Sequence, residues 1–155
     1  MRRLLTAIAT AAVLASPALA QGAPAAPAAT TAPAGAYVSD RTHTSIEWQG
    51  LHNGLSWYSA RFTDFDIQLT FDPADVTKSK VVATINPKSV ETDFARTRPA
   101  GNTTDFNDEV ATGERFLNGN KFPKITFTST AVTKTGDKTG KVTGNLTFLG
   151  VTKPV

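Results

Sequence analysis

Residues 65–71 read Phe-Asp-Ile-Gln-Leu-Thr-Phe, apolar at every second position. Strand side chains point alternately to the two faces of a sheet. Phe65, Ile67, Leu69 and Phe71 therefore share one face, and Asp66, Gln68 and Thr70 share the other. A helix would scatter these residues around its axis, so the period predicts a sheet with one apolar and one wet face. The pattern recurs. Residues 44–52 set Ile46 and Trp48 against Ser45, Glu47 and Gln49. Residues 55–62 form a second run, aromatic at Trp57, Tyr58 and Phe62. Residues 80–85 place Val81, Ala83 and Ile85 together. Asp72-Pro73 and Asn86-Pro87 stop two of these strands, because proline cannot donate to a ladder.

Towards the carboxyl end, residues 124–129 carry Ile125 and Phe127, and residues 131–135 run into Gly136-Asp137. Residues 141–149 then run back, which predicts a hairpin. Residues 150–155 begin another extended piece, and no turn or charged tail follows. The expectation is a β-protein cut before its last strands. Between residues 89 and 121 the alternation is lost. Thr103, Thr104 and Asp105 offer helix caps, and Phe106, Val110 and Phe116-Leu117 lie at helix-like spacing. One or two short helices are expected over residues 105–117, interrupted at Gly113. Antiparallel alternation with few helices implies an all-β sandwich or up-and-down barrel. The inward positions are mostly large: Trp48, Phe65, Leu69, Phe71, Phe127 and Phe148. A small barrel of this kind is either filled by its side chains or holds one small ligand.

The domain has company at its amino end. Arg2 and Arg3 precede an apolar run over residues 4–14, and Ala18-Leu19-Ala20 is a small-x-small cleavage pattern. Residues 1–20 are expected to be a cleaved signal peptide, too short in its apolar part to span a ~30 Å bilayer. Residues 21–35 are an Ala/Pro-rich linker without charge or large side chains. That leaves one domain over residues 36–155, periplasmic or secreted, with no integral membrane segment after cleavage. The formal net charge of +3 falls to +1 once Arg2 and Arg3 leave. No Lys/Arg stripe remains to hold a nucleic acid. The chain contains no cysteine, which excludes lipid attachment at a cysteine and disulfides alike.

Chemistry has little to work with. His43 and His52 are the two histidines, and their odd separation puts them on opposite faces of one strand. No metal site, cofactor or catalytic residue is expected. A Gly-x-Ser-x-Gly elbow is absent, as is a cysteine nucleophile. Gly136-Asp137-Lys138-Thr139-Gly140-Lys141 has the wrong glycine spacing for a phosphate loop and suits a hairpin turn. Arg96 and Arg98 flank the insert and could meet a phosphate headgroup at a barrel mouth, or simply sit in a solvated loop.

Six segments, in order, carry a resemblance. They are residues 37–46; His52-Asn53-Gly54-Leu55-Ser56; residues 62–66 with Leu69-Thr70-Phe71-Asp72-Pro73; residues 85–92 ending Ser89-Val90-Glu91-Thr92; Phe116-Leu117 with residues 121–127; and residues 144–155, which include Gly150-Val151-Thr152-Lys153-Pro154. Together they resemble the YceI-like family of exported, lipocalin-like, polyisoprenoid-binding proteins. The resemblance implies an antiparallel lipocalin-like barrel, incomplete here because the family continues for several more strands. It implies binding of a polyisoprenoid or similar amphiphilic lipid in an apolar cavity, for transport, storage or shielding. The insert Asp105-Phe106-Asn107-Asp108-Glu109-Val110 departs from the family's pattern, so no headgroup contact is carried over to it. The alternation assigns the cavity wall to Ile46, Trp48, Phe65, Ile67, Leu69, Val81, Ile85, Ile125, Phe127, Leu146 and Phe148. Two other classes stay open: an interaction protein with a filled barrel, Trp57 or Tyr58 at its surface and an edge that could pair with a second copy as a homodimer, and a hydrolase with a Ser-His pair.

Overall fold

The computed structural model describes residues 32–92 and 94–155. The expected signal peptide and most of the expected linker lie outside the described residues. Among them nine strands and two α-helices follow in order: β1 Gly35–Val38, β2 Ile46–His52, β3 Ser56–Phe62, β4 Phe65–Phe71, β5 Lys80–Ile85, β6 Val90–Thr92, α1 Phe94–Thr97, α2 Phe106–Thr112, β7 Ile125–Lys134, β8 Gly140–Phe148 and β9 Val151–Pro154. They form a six-stranded sheet, β1-β4-β5-β7-β8-β9, and a three-stranded sheet, β2-β3-β6. The pairings are antiparallel throughout. This is the expected all-β architecture with short helices in an insert. The two sheets are hydrogen-bonded separately, so the barrel is open among the described residues.

The alternation on β4 is realised. Phe65 is buried, Ile67, Leu69 and Phe71 are half-buried, and the polar residues between them are exposed. The two expected runs at residues 124–129 and 131–135 are one strand, β7, with an irregularity between Ser129 and Ala131. The irregularity changes parity. Ser129 faces Gly144 and Val132 faces Val142, so an even-numbered residue continues the face that Ile125 and Phe127 began. The Ser129 hydroxyl accepts from the Val81 N–H at 2.9 Å and ties β5 to this point.

Helix α2 lies within the expected stretch and stops where the interruption at Gly113 was expected. Asp105 caps it by accepting from the Asp108 N–H at 3.1 Å, and Asp108 and Glu109 face the positive end of its dipole. It ends at Thr112 because the backbone turns extended at Gly113. A side chain at Gly113 would put its Cβ 2.5 Å from the Glu109 carbonyl oxygen. The Leu117 N–H instead donates back to the Val110 carbonyl at 3.1 Å, folding Leu117 under the helix.

The core lies where α2 meets the three-stranded sheet and the start of β7. Ala60, Phe62, Val90, Val110, Ala111, Leu117 and Ile125 are buried together, with Ile46, Trp48, Tyr58, Ile85, Phe106 and Leu146 packed around them. One polar link holds α2 to β6. The Asn107 side-chain oxygen accepts from the Thr92 N–H at 3.0 Å and from the Thr92 hydroxyl at 2.6 Å. Asn107→Ala strips both donors of their acceptor. The expected loss is about 1–3 kcal/mol, read as a lower denaturation midpoint at unchanged slope.

Candidate functional site

An apolar cleft of about 490 Å³ opens between the three-stranded sheet and the helical insert. Strand β2 supplies Trp48, Gly50, Leu51 and His52, and β3 supplies Tyr58. Phe94 comes from α1, Phe106 and Val110 come from α2, and Phe116 comes from the turn beyond it. Register explains the sheet side. Trp48 lies opposite Ala60 and Gly50 opposite Tyr58, so Trp48 and Tyr58 face inward on neighbouring strands. Gly50 stands beside Trp48 with no side chain of its own, which leaves the floor of the cleft open between the rings.

Phe106 is the hub of the other wall. Its ring centroid lies 5.0 Å from that of Phe94, 6.0 Å from Tyr58 at 90° and 6.5 Å from Phe116 at 79°. Edge-to-face packing of this kind fixes ring positions as well as burying area. Lys, Arg, Asp and Glu do not contribute to the lining. Two buried donors, Trp48 Nε1 and the Tyr58 hydroxyl, have no hydrogen-bond partner. An unpaired buried polar group is costly, and such groups are uncommon in folded proteins.

The sequence-predicted residues separate into groups. Trp48 lines the cleft, while Ile46 lies opposite Phe62 and packs against the core. Register places Phe65, Ile67, Leu69, Val81, Ile85, Ile125, Phe127, Leu146 and Phe148 on one face of the six-stranded sheet. Ile85, Ile125 and Leu146 join the core, and Phe148 at the far end is 39% exposed. Arg98 stands beside the cleft, its guanidinium 5.9 Å from the Phe94 ring centroid and its Nε buried without a partner. Arg96 is exposed in the last turn of α1.

His52 ends β2 and His43 lies in the turn before it, so the histidines lie towards opposite ends of a strand that spans roughly 20 Å at ~3.3 Å per residue. His43 Nδ1 lies 2.8 Å from Asp40 Oδ2, in the turn leading into the strand. Hydrogen bonds from the Thr42 hydroxyl and from His43 hold the Asp40 carboxyl below the usual carboxylate range. No group of three His, Cys, Asp or Glu able to hold a metal occurs among the described residues.

Tyr58, Phe94, Phe106 and Phe116 were not assigned to a cavity by alternation. Tyr58 was within reach, since it shares parity with Ala60 and the buried Phe62. The three phenylalanines lie 12 and 10 residues apart in the insert, and no local period predicts that they converge.

This chain is similar to known proteins. Residues 37–155 match the family model described as the YceI-like domain. Proteins named YceI from Salmonella arizonae and Salmonella enteritidis are 42% identical over 113 residues, covering 73% of this chain. The chain spans about half the length of these curated relatives, 53%. Among solved structures, Burkholderia cenocepacia BcnA aligns with a TM-score of 0.61 at 26% identity, covering 75% of this chain and 66% of that one. The Campylobacter jejuni YCEI protein aligns with a TM-score of 0.54 at 29% identity, covering 77% and 64%. The matched segment begins within β1 and takes in every later strand, the insert and the aromatic cleft, and on that extent the chain belongs to the YceI-like domain family.

Proposed function

We propose that this domain is an exported binding protein that holds the chain of a polyisoprenoid or similar amphiphilic lipid and performs no chemistry on it. The observation that carries the reading is the aromatic cleft, walled by Trp48, Tyr58, Phe94, Phe106 and Phe116 without a charged side chain. Its 490 Å³ falls within the ~300–1,000 Å³ common for small-molecule sites. A branched apolar chain needs little directional recognition there, since each buried methylene-sized unit contributes about 0.8 kcal/mol. A long chain would outgrow the cleft. The apolar face from Phe65 to Phe148 borders the same core and offers the remaining wall. Arg98, whose guanidinium lies over the Phe94 ring, would meet a polar end. Residues 1–20, as a signal peptide, would deliver the protein to the periplasm or beyond.

Native mass spectrometry of the exported protein, with organic extraction, tests this reading. The expected result is a co-purifying isoprenoid mass, or 1:1 uptake of added geranylgeraniol. Trp48→Ala is expected to weaken geranylgeraniol binding at least tenfold. An apo mass unchanged by geranylgeraniol would sink the reading and leave a filled fold acting through its surface.

A further inference from the structure

The β2–β3 hairpin ends in a tip whose apex lies outside the cleft lining. Asn53 and Gly54 turn the chain with φ of 52° and 72°, and the Leu55 N–H closes the turn on the His52 carbonyl at 3.0 Å. Leu55 at the apex is 88% exposed. Behind it Leu51 and Trp57 are direct cross-strand partners, 53% and 67% exposed. Isolated exposed apolar residues are ordinary, but three large ones gathered on one turn are not. The surroundings are as distinctive as the tip. Residues 48–60 contain no Lys, Arg, Asp or Glu, so nothing charged need be stripped of water if the tip is buried.

We propose that Leu51, Leu55 and Trp57 form a docking tip for a lipid bilayer, seated where headgroups meet acyl chains. Tryptophan suits that depth, with an apolar ring and an N–H that can bond at the polar boundary. Size argues against a protein partner. Even a large side chain buries at most ~250 Å², so three of them fall short of the ~800 Å² that each side of a stable protein interface contributes. A convex apex suits a fluid surface, which needs no complementary pocket. The missing charge makes a further demand: docking must work on zwitterionic lipid and must not depend on salt. Leu51 belongs to both the tip and the cleft lining, so a docked hairpin brings the cleft up to the lipid.

The test uses the exported protein and phosphatidylcholine vesicles containing no isoprenoid, so it does not depend on what the cleft binds. Flotation is expected to show binding that persists when salt is raised from low to 0.5 M. Leu55→Asp is expected to reduce partitioning at least tenfold. Leu55 makes no part of the core or cleft, so the variant's thermal midpoint should match wild type, and Trp57→Ser supplies an independent loss. Brominated phosphatidylcholine should quench Trp57, with the Trp57→Phe protein reporting Trp48 alone as the control. Equal partitioning of wild type and Leu55→Asp would overturn the proposal. So would binding confined to anionic vesicles and lost in salt. A concentration-dependent dimer broken by Leu55→Asp, with no vesicle binding, would assign the tip to a second copy instead.

Discussion

Phe106→Ala is expected to open the middle of the ring cluster and to lower stability and ligand affinity together. Phe106 opens α2 and touches the rings of Phe94, Tyr58 and Phe116. Removing a packed phenylalanine ring costs about 3 kcal/mol, from the lost transfer energy and from the cavity that incomplete relaxation leaves. Denaturant unfolding reads this as a lower midpoint with little change in slope. Geranylgeraniol binding should fall at least tenfold, because the ring that orients three others is gone. Phe106→Leu separates the two effects. It restores most of the volume but not the edge-to-face contacts, so stability should recover further than affinity. If Phe106→Ala binds geranylgeraniol as wild type does despite its lost stability, the cleft is not the binding site.

The second large effect belongs to the sheet. Gly144 is buried on β8, facing Ser129 of β7 at the edge of the strand irregularity. A Cβ there would lie 2.5 Å from both Phe127 Cε2 and the Thr128 carbonyl oxygen. The ring of Phe127 could swing away, but the carbonyl belongs to the ladder and cannot. Gly144→Val must therefore push β8 away from β7. The expected loss is about 3 kcal/mol, the upper part of the usual range for overpacking. Amide exchange should quicken on both strands around residues 127–129 and 143–145. Retention of wild-type stability would mean that the β7–β8 ladder can widen there without cost. Gly144 also exchanges both backbone bonds with Val155, at 3.0 and 2.9 Å, so the disturbance should reach the chain's last residue.

The strands were legible wherever one face is wet and the other dry. β4 and β5 appear at the boundaries the alternation implies, because solvent and core select side chains at strict period 2. Where the backbone itself changes the count, the alternation misleads. β7 reads as two runs only because its irregularity shifts parity between Ser129 and Ala131. The end of α2 at Thr112 agrees with the interruption expected at Gly113, but the path of the chain beyond it is not written in the local pattern. Phe116-Leu117 continues a helix-like spacing, yet Leu117 reaches the core through a turn whose carbonyl partner is Val110. β6 was hidden because three residues, Val90, Glu91 and Thr92, are too few to show a period.

The site was legible in one residue of its sheet side. Trp48 could be assigned inward from its own strand, and its exposed neighbours confirm that parity. Alternation also sorts Phe65 through Phe148 onto one face, but it does not say which stretch of apolar surface is roofed. That depends on where the insert folds back. Phe94, Phe106 and Phe116 approach β2 and β3 only because α2 docks on the core through Val110 and Ala111 and is tied to β6 by Asn107. Local pattern by itself therefore determined an antiparallel all-β domain with a capped helix near Asp105, since burial period and capping act over a few residues. The open pairing of two sheets, the aromatic cleft and the bare tip at Leu55 were decided by tertiary structure. They depend on contacts between segments tens of residues apart, whose meeting no short-range period encodes.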